Sequence, residues 1–110
     1  MAQYYNLAID QGTDFSVTIT ANDSTGSARV LTGYTGNAQI KRSYYSSTGT
    51  YFGISIAAAN GEITLTLSNA QTANLKYGRY VYDLELTKTS ANTIERIIEG
   101  TATIYPQVTK

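Results

Sequence analysis

Carboxylates are the side chains through which this sequence comes closest to catalytic chemistry. The chain contains no histidine and no cysteine, so it lacks the commonest general base, the commonest metal ligand and the thiol nucleophile. Two carboxylates that face each other across a cleft could still hydrolyse a glycosidic bond. The carboxylates are Asp10, Asp14, Asp23, Glu62, Asp83, Glu85, Glu95 and Glu99.

The spacing of these carboxylates favours solvated strand surfaces over a catalytic pair. Asp83 and Glu85 share the outward side of one predicted strand, and Glu95 and Glu99 share the outward side of the next. Residues at even spacing on a strand point to the same side of the sheet, and water reaches one side of a half-buried sheet. We therefore predict a protein that is not an enzyme and has no catalytic residues. A hydrolase built on carboxylates is the third hypothesis.

The sequence also does not match the patterns of metal-binding or cofactor-binding sites. Calcium takes about six to eight oxygen ligands, and the polar loop Asn22–Gly26 lacks alternating acidic residues and a bidentate glutamate. The glycines do not form a phosphate-binding loop with a following lysine, and their positions are typical of turns and bulges. We expect no metal site and no cofactor.

Tyrosine supplies most of the aromatic side chains, with ten copies beside two phenylalanines. Tyr80 and Tyr82 follow the apolar phase of a strand and are predicted in the core, where one of them could form a tyrosine corner. Four others lie in doublets or near turns, where one of each pair must face outward. Exposed tyrosines suit protein contacts or a platform for sugars, and a plain solvent-facing sheet is the alternative. These candidate interface residues are Tyr4, Tyr44, Tyr45 and Tyr51.

The charge balance argues against nucleic-acid and membrane partners. Eight basic and eight acidic residues give a net charge of zero, so the chain exerts little long-range attraction on nucleic acid or anionic lipid. Lys41 and Arg42 beside Tyr44 and Tyr45 are similar to a platform for single-stranded nucleic acid, but two basic residues favour an ordinary sheet surface. Low self-repulsion permits association, and we expect protein partners, including further copies of the chain.

No targeting or membrane-spanning pattern is evident. Residues 1–6 contain neither a basic region nor an apolar region of a signal peptide. No run approaches the roughly 20 apolar residues of a membrane span. We predict no signal peptide and no transmembrane segment.

Alternation of apolar and polar residues dominates the sequence and predicts strands. Asn60-Gly61 is a strong hairpin signal, and Ser68 or Asn69 is expected to cap a short helical turn near residues 69–75. The fold class predicted for residues 1–110 is all-β: one immunoglobulin-like antiparallel β-sandwich of about seven strands. The predicted strands lie near residues 5–9, 15–20, 37–45, 51–57, 62–68, 79–88 and 94–105.

Individual side chains can also be assigned to the core. Leu31 and Tyr34 are expected to point into the core from an irregular stretch. In the last strand one inward phase is predicted to hold Ile94, Ile98, Ala102 and Ile104. The first or last strand could pair with another subunit, because an open edge carries unpaired backbone groups.

Five stretches occur in an order that is familiar from one group of proteins. They are Ile9–Phe15, Leu31–Thr35, Ala38–Lys41, Tyr77–Leu84 and Gly100–Thr109. In this order they resemble the small immunoglobulin-like structural domains of tailed-bacteriophage virion proteins, and they are similar to the N-terminal domain of baseplate upper proteins. Gly26–Val30 departs from the proline and acidic residue often found before the Leu-Thr-Gly stretch of that group.

The resemblance implies a non-enzymatic virion structural protein, a component of the tail, baseplate or neck. Such a protein is made in the host cytoplasm, resides in the virion, and acts by assembly with other virion proteins or with itself. The resemblance carries no catalytic residues. It implies structural roles such as turns at Gly12, Gly33 and Gly78. The alternative function is a carbohydrate- or host-surface-binding β-sandwich module.

Overall fold

Strands account for most of the chain in the computed structural model, which describes residues 3–21, 26, 29–46 and 49–108. A short helix follows a Ser68 cap, as predicted, and a 3-10 turn precedes Gly61 in the predicted hairpin. The strands are β1 (Gln3–Tyr4), β2 (Leu7–Asp10), β3 (Phe15–Thr20), β4 (Tyr34–Lys41), β5 (Thr50–Tyr51), β6 (Gly53–Ala57), β7 (Glu62–Leu67), β8 (Gly78–Lys88) and β9 (Thr93–Tyr105). The helix α1 spans Asn69–Ala73, and the 3-10 turn spans Ala58–Asn60.

These strands form two sheets, and the predicted all-β sandwich is confirmed. The larger sheet has the order β1-β9-β8-β4-β5, with β2 also paired to β9, and the smaller has the order β3-β7-β6. Three consecutive neighbours in each sheet, β9-β8-β4 and β3-β7-β6, match the two halves of an immunoglobulin-like sandwich. The opening strands β1 and β2 run parallel to β9, so the larger sheet is mixed rather than purely antiparallel.

The core lies between the two sheets and follows the two-residue period. In β8 the side chains of Tyr80, Tyr82, Leu84 and Leu86 are buried, and the residues between them are partly exposed. Leu31 is buried as expected, and Tyr34 packs half-buried against the core. The predicted inward phases are therefore confirmed over most of the sandwich.

The predicted strands at 37–45 and 51–57 have different boundaries in the structure, for local reasons. The third predicted strand ends at Lys41, because Ser43 and Ser46 bond to each other in a turn through backbone and hydroxyl groups. The predicted strand at 51–57 divides at Phe52, whose N–H donates to the Ala38 carbonyl at 3.0 Å. Phe52 is buried between the sheets, and the chain passes there from the larger sheet to the smaller.

A bulge reverses the expected side-chain direction at the start of β9. Leu84 pairs with Ile98, whereas Glu85 pairs with Arg96, so Ile97 is the additional residue. One extra residue moves all preceding side chains to the opposite face. Ile94, predicted inward, is consequently 64% exposed. The prediction of an inward Ile94, and of one shared outward side for Glu95 and Glu99, was wrong.

Tyr80 forms the tyrosine corner for which the sequence offered two candidates. Its hydroxyl donates to the Lys76 carbonyl at 2.8 Å, four residues upstream, and this bond ties the connection after α1 to the start of β8. We expect Tyr80→Phe to lower the free energy of unfolding by about 1 kcal/mol, because the ring stays and one partly buried hydrogen bond is lost. Urea denaturation followed by circular dichroism measures this loss. A variant as stable as the wild type would contradict the role of the hydroxyl.

Candidate functional site

The outward side of the larger sheet gathers three of the four candidate tyrosines. Strand pairing places five residues in one row across the sheet, from the edge strand β5 to the edge strand β1. This row consists of Tyr51, Gln39, Asp83, Glu99 and Tyr4. We call the outward side of the larger sheet, centred on this row, the outer face.

Tyr4 lies on the outer face just before the pairing of the first two strands with β9 is interrupted, where the chain packs closely against a glycine of β9. The Tyr5 N–H donates to the Glu99 carbonyl at 3.0 Å, and the Tyr5 carbonyl accepts a hydrogen bond from the buried Tyr82 hydroxyl. An added Cβ at Gly100 would lie 2.9 Å from the Tyr5 carbonyl carbon and nearer still to its oxygen. Tyr4 directly precedes this close contact and is 72% exposed.

Asn6 links the interrupted segment to β9 through its side chain. The Asn6 Oδ1 atom accepts hydrogen bonds from the Thr101 N–H at 3.2 Å and from the Thr101 Oγ1 at 3.1 Å. After this residue the chain resumes pairing with β9 as β2, with Leu7 opposite Ala102. The predicted first strand at 5–9 is therefore observed only from Leu7, as β2, and the non-strand residues Tyr5 and Asn6 separate it from β1.

Tyr44 approaches the same row from the turn after β4. Loss of water around its hydroxyl, followed by the nearby Tyr4 hydroxyl and Glu99 carboxylate, raises the pKa of Tyr44 above its ordinary value. Its ring remains largely exposed. A shallow hollow of about 100 Å³ lies beside Tyr44 and is also lined by Gln39, Lys41 and Asp83. Tyr44 therefore lies beside the central row and near Tyr4, which forms one end of that row.

Tyr51 forms the opposite end of the central row. It lies on β5 opposite Gln39, and its carbonyl accepts a hydrogen bond from Gln71 Nε2 at 3.3 Å. A second shallow hollow, of about 230 Å³, is lined by Tyr51, Asn37, Gln39, Asp83 and Glu85. The two hollows share Gln39 and Asp83, so they flank the middle of the same row.

Tyr45 is the candidate that does not join this arrangement. It follows Tyr44 in the turn and is 97% exposed. Both members of the doublet are exposed, and Tyr44 is the one that lines the hollow beside the sheet.

Carboxylates occupy the centre of the outer face and one guanidinium joins two of them. Asp83 and Glu99 are direct cross-strand neighbours, an arrangement in which like charges repel. Arg96 relieves this repulsion, with Nε 3.5 Å from Asp83 Oδ2 and Nη1 3.5 Å from Glu99 Oε2. Glu85 lies in the adjacent row, opposite Arg96. Three carboxylates against one guanidinium leave this region negative and able to accept hydrogen bonds from a partner.

Basic side chains lie toward the start of β8. Arg79 and Lys41 occupy outward positions there, and Arg42 lies with its guanidinium 4.9 Å from the centre of the Tyr80 ring. The outer face is therefore positive toward one end and negative toward its middle. Sequence reasoning missed this order, although the alternating residues Arg79, Val81, Asp83 and Glu85 carry it within one strand.

Glu95, displaced by the bulge, pairs with Arg29 away from the central row. The Arg29 guanidinium bonds to both Glu95 oxygens, at 2.8 and 3.2 Å, and to the Tyr34 hydroxyl at 3.2 Å. Hydrogen bonding from Arg29 lowers the pKa of Glu95 below its ordinary value of 4.5. This pair connects the segment before β4 with the start of β9.

The Glu95 pair predicts a small acid dependence of stability. A carboxyl whose pKa is lowered by folding stabilises the protein above its unfolded-state pKa, and this contribution is lost as pH falls through the lower folded-state pKa. We expect Glu95→Gln to be less stable than the wild type near pH 7, by at most about 1 kcal/mol because water screens a half-exposed pair. The difference should shrink below about pH 4. Urea titrations from pH 7 to pH 3 measure it, and a constant difference would contradict the assignment.

None of the helical segments in the described ranges is long and apolar enough to cross a membrane. The same ranges contain no group of three or more acidic, histidine or cysteine side chains that could hold a metal ion. A comparison with known protein families and with curated proteins finds no match to this chain.

Proposed function

We propose that this chain is a non-enzymatic structural protein of a tailed-bacteriophage virion, in the tail, baseplate or neck, and that it acts by binding other proteins through the outer face. The observation that carries the proposal is the presence of Tyr4, Tyr44 and Tyr51 on one open sheet face. Tyrosine is enriched where proteins meet, because its ring is apolar and its hydroxyl can bond to a partner.

The shape of the outer face supports a macromolecular partner. Its two hollows, of about 100 and 230 Å³, fall below the roughly 300–1,000 Å³ of typical small-molecule sites. Tyrosines that project from the two edges of the sheet, Tyr4 and Tyr51, suit a broad contact instead. The phage assignment itself is supported by the ordered resemblance of the five stretches.

The surroundings of the carboxylates support a binding role over hydrolysis. A pair of catalytic carboxyls needs distinct environments, one of which keeps its proton. Asp83 and Glu99 instead share one neutralising partner, Arg96, at 3.5 Å from each, on a face that is open to water. Arg96 held in this way also provides a planar donor group of the kind that is enriched in protein interfaces.

A carbohydrate-binding role is the second candidate, and one observation favours it. The hollow beside Tyr51 combines an aromatic ring with the amide groups of Asn37 and Gln39 and the carboxylates of Asp83 and Glu85. Such groups could stack on a sugar and accept its hydroxyl protons. A glycan array tests this role: binding that is lost in Tyr51→Ala would support it, and silence across the array would remove it.

Mass spectrometry of purified particles tests the virion proposal. In particles of the phage whose genome encodes this chain, we expect the chain at a constant copy number per capsid protein, retained after density-gradient purification and a high-salt wash. An early non-structural protein of the same phage serves as the control for carry-over. Absence of the chain from particles, together with its presence in the infected-cell lysate, would contradict the proposal.

A further inference from the structure

The charges of the outward residues of β8 are arranged so that two copies of the strand, running in opposite directions, place opposite charges facing each other. Arg79 is positive, Val81 is apolar, and Asp83 and Glu85 are negative. Successive outward residues on a strand lie about 6.7 Å apart. When a second copy of the strand runs in the opposite direction over the first, with the centre between Val81 and Asp83, Arg79 of each copy lies opposite Glu85 of the other.

Neighbouring strands extend this complementarity. Lys41 on β4 is the cross-strand partner of Val81, and Glu99 on β9 is the partner of Asp83. When the second copy is placed about the same centre, its row of Lys41 and Val81 lies over the first copy's row of Asp83 and Glu99. Lys41 then lies one strand away from the other copy's Asp83, at about 4.8 Å between strand axes in projection. In this arrangement no like charges of the two β8 strands lie directly opposite each other.

We propose that the outer faces of two copies of this chain pack against each other about a two-fold axis between Val81 and Asp83, with Arg79 of each copy opposite Glu85 of the other. The inference rests on the proposed function, since it names a second copy as the partner of the same face. A two-fold contact of this kind uses one patch twice and closes on itself. It also brings Tyr4, Tyr44 and Tyr51 of both copies to the contact.

The tyrosines and the charges contribute differently to such a dimer. Buried aromatic rings supply most of the affinity in a typical interface, whereas charged pairs at its rim set orientation and exclude wrong arrangements. The face spans four strand spacings by about eight residues of β8, or on the order of 500 Å² in projection. Stable interfaces bury about 800 Å² per partner. We therefore expect a weak dimer, populated at high micromolar concentrations.

Charge reversal tests the arrangement without disturbing the core. Arg79→Glu and Glu85→Lys are each expected to raise the dimer dissociation constant at least about 10-fold, because each places like charges opposite each other twice. An equimolar mixture of the two variants should restore dimers, since complementary charges then meet on both sides of the axis. The double variant that carries both changes should also form dimers with itself. Sedimentation equilibrium over a concentration series measures all four species.

Matched controls apply the same charge changes outside the outer face. Lys88→Glu alters the exposed end of β8, and Glu62→Lys alters the smaller sheet; both should dimerise as the wild type does. A wild type that is monomeric at about 1 mM, unchanged dissociation constants in the two reversals, or a mixture that stays monomeric would overturn the proposal. Growth into assemblies larger than a dimer would overturn the two-fold axis. None of these outcomes decides virion incorporation, which the particle analysis tests separately.

Discussion

Gly100→Ala is expected to destabilise the protein by about 3 kcal/mol or more, because the new methyl group meets backbone atoms that cannot turn aside. A Cβ at this position would lie 2.9 Å from the Tyr5 carbonyl carbon and nearer to the oxygen. That oxygen is already bonded to the buried Tyr82 hydroxyl, so the Tyr5 segment must move away from β9. Urea denaturation followed by circular dichroism measures the loss.

Gly33→Ala is the matched control for this substitution. Gly33 has φ +86° and open space around an added Cβ, so its substitution costs only backbone strain, about 1 kcal/mol. Gly100 lacks such a φ and suffers only the steric clash. If Gly100→Ala cost no more than Gly33→Ala, the close contact between Tyr5 and Gly100 would be incorrect. Amide hydrogen exchange at Thr101 should rise in Gly100→Ala alone, because its bond to Asn6 is lost when the Tyr5 segment moves away from β9.

Tyr82→Ala is the second large effect, at an expected cost of about 3–5 kcal/mol. Tyr82 is 2% exposed, and its ring packs edge-on against Phe52 with centroids 6.1 Å apart. Its hydroxyl holds the Tyr5 carbonyl. Removal of the ring therefore leaves a cavity beneath the outer face and an unpaired backbone oxygen.

Tyr82→Phe separates these two contributions. The ring and its contact with Phe52 remain, and only the hydrogen bond to the Tyr5 carbonyl is lost, so we expect a cost of about 1–3 kcal/mol. Equilibrium urea unfolding of both variants gives the comparison. Equal losses in the two variants would assign the entire effect to the hydroxyl, and a neutral Tyr82→Phe would contradict the anchoring of Tyr5.

Features that depend on local residue order could be predicted from the sequence. The alternation in β8 identifies Tyr80, Tyr82 and Leu84 as buried, since a strand turns successive side chains to opposite sides. Asn60-Gly61 marks the hairpin, where Gly61 adopts φ +67°. Ser68 and Gln71 form a reciprocal cap on α1. Each of these features needs only a few neighbouring residues.

Features that depend on how strands meet could not be predicted. The bulge at Ile97 is invisible in a stretch where Ile94, Ile97 and Ile98 offer two apolar phases. The parallel pairing of β1 with β9 joins residues about 95 positions apart, and no local signal specifies it. For the same reason Tyr4 and Tyr51 could be proposed as exposed but not as members of one row.

Hydroxyl-radical footprinting of the tyrosines tests most directly whether the outer face is the contact surface of this protein. The comparison is between the dilute isolated chain and the chain in purified particles. We predict that oxidation of Tyr4, Tyr44 and Tyr51 falls several-fold on assembly, while Tyr77, which is 66% exposed near the start of β8, is oxidised equally in both. Unchanged oxidation of the first three tyrosines, or protection of Tyr77 in their place, would contradict the account.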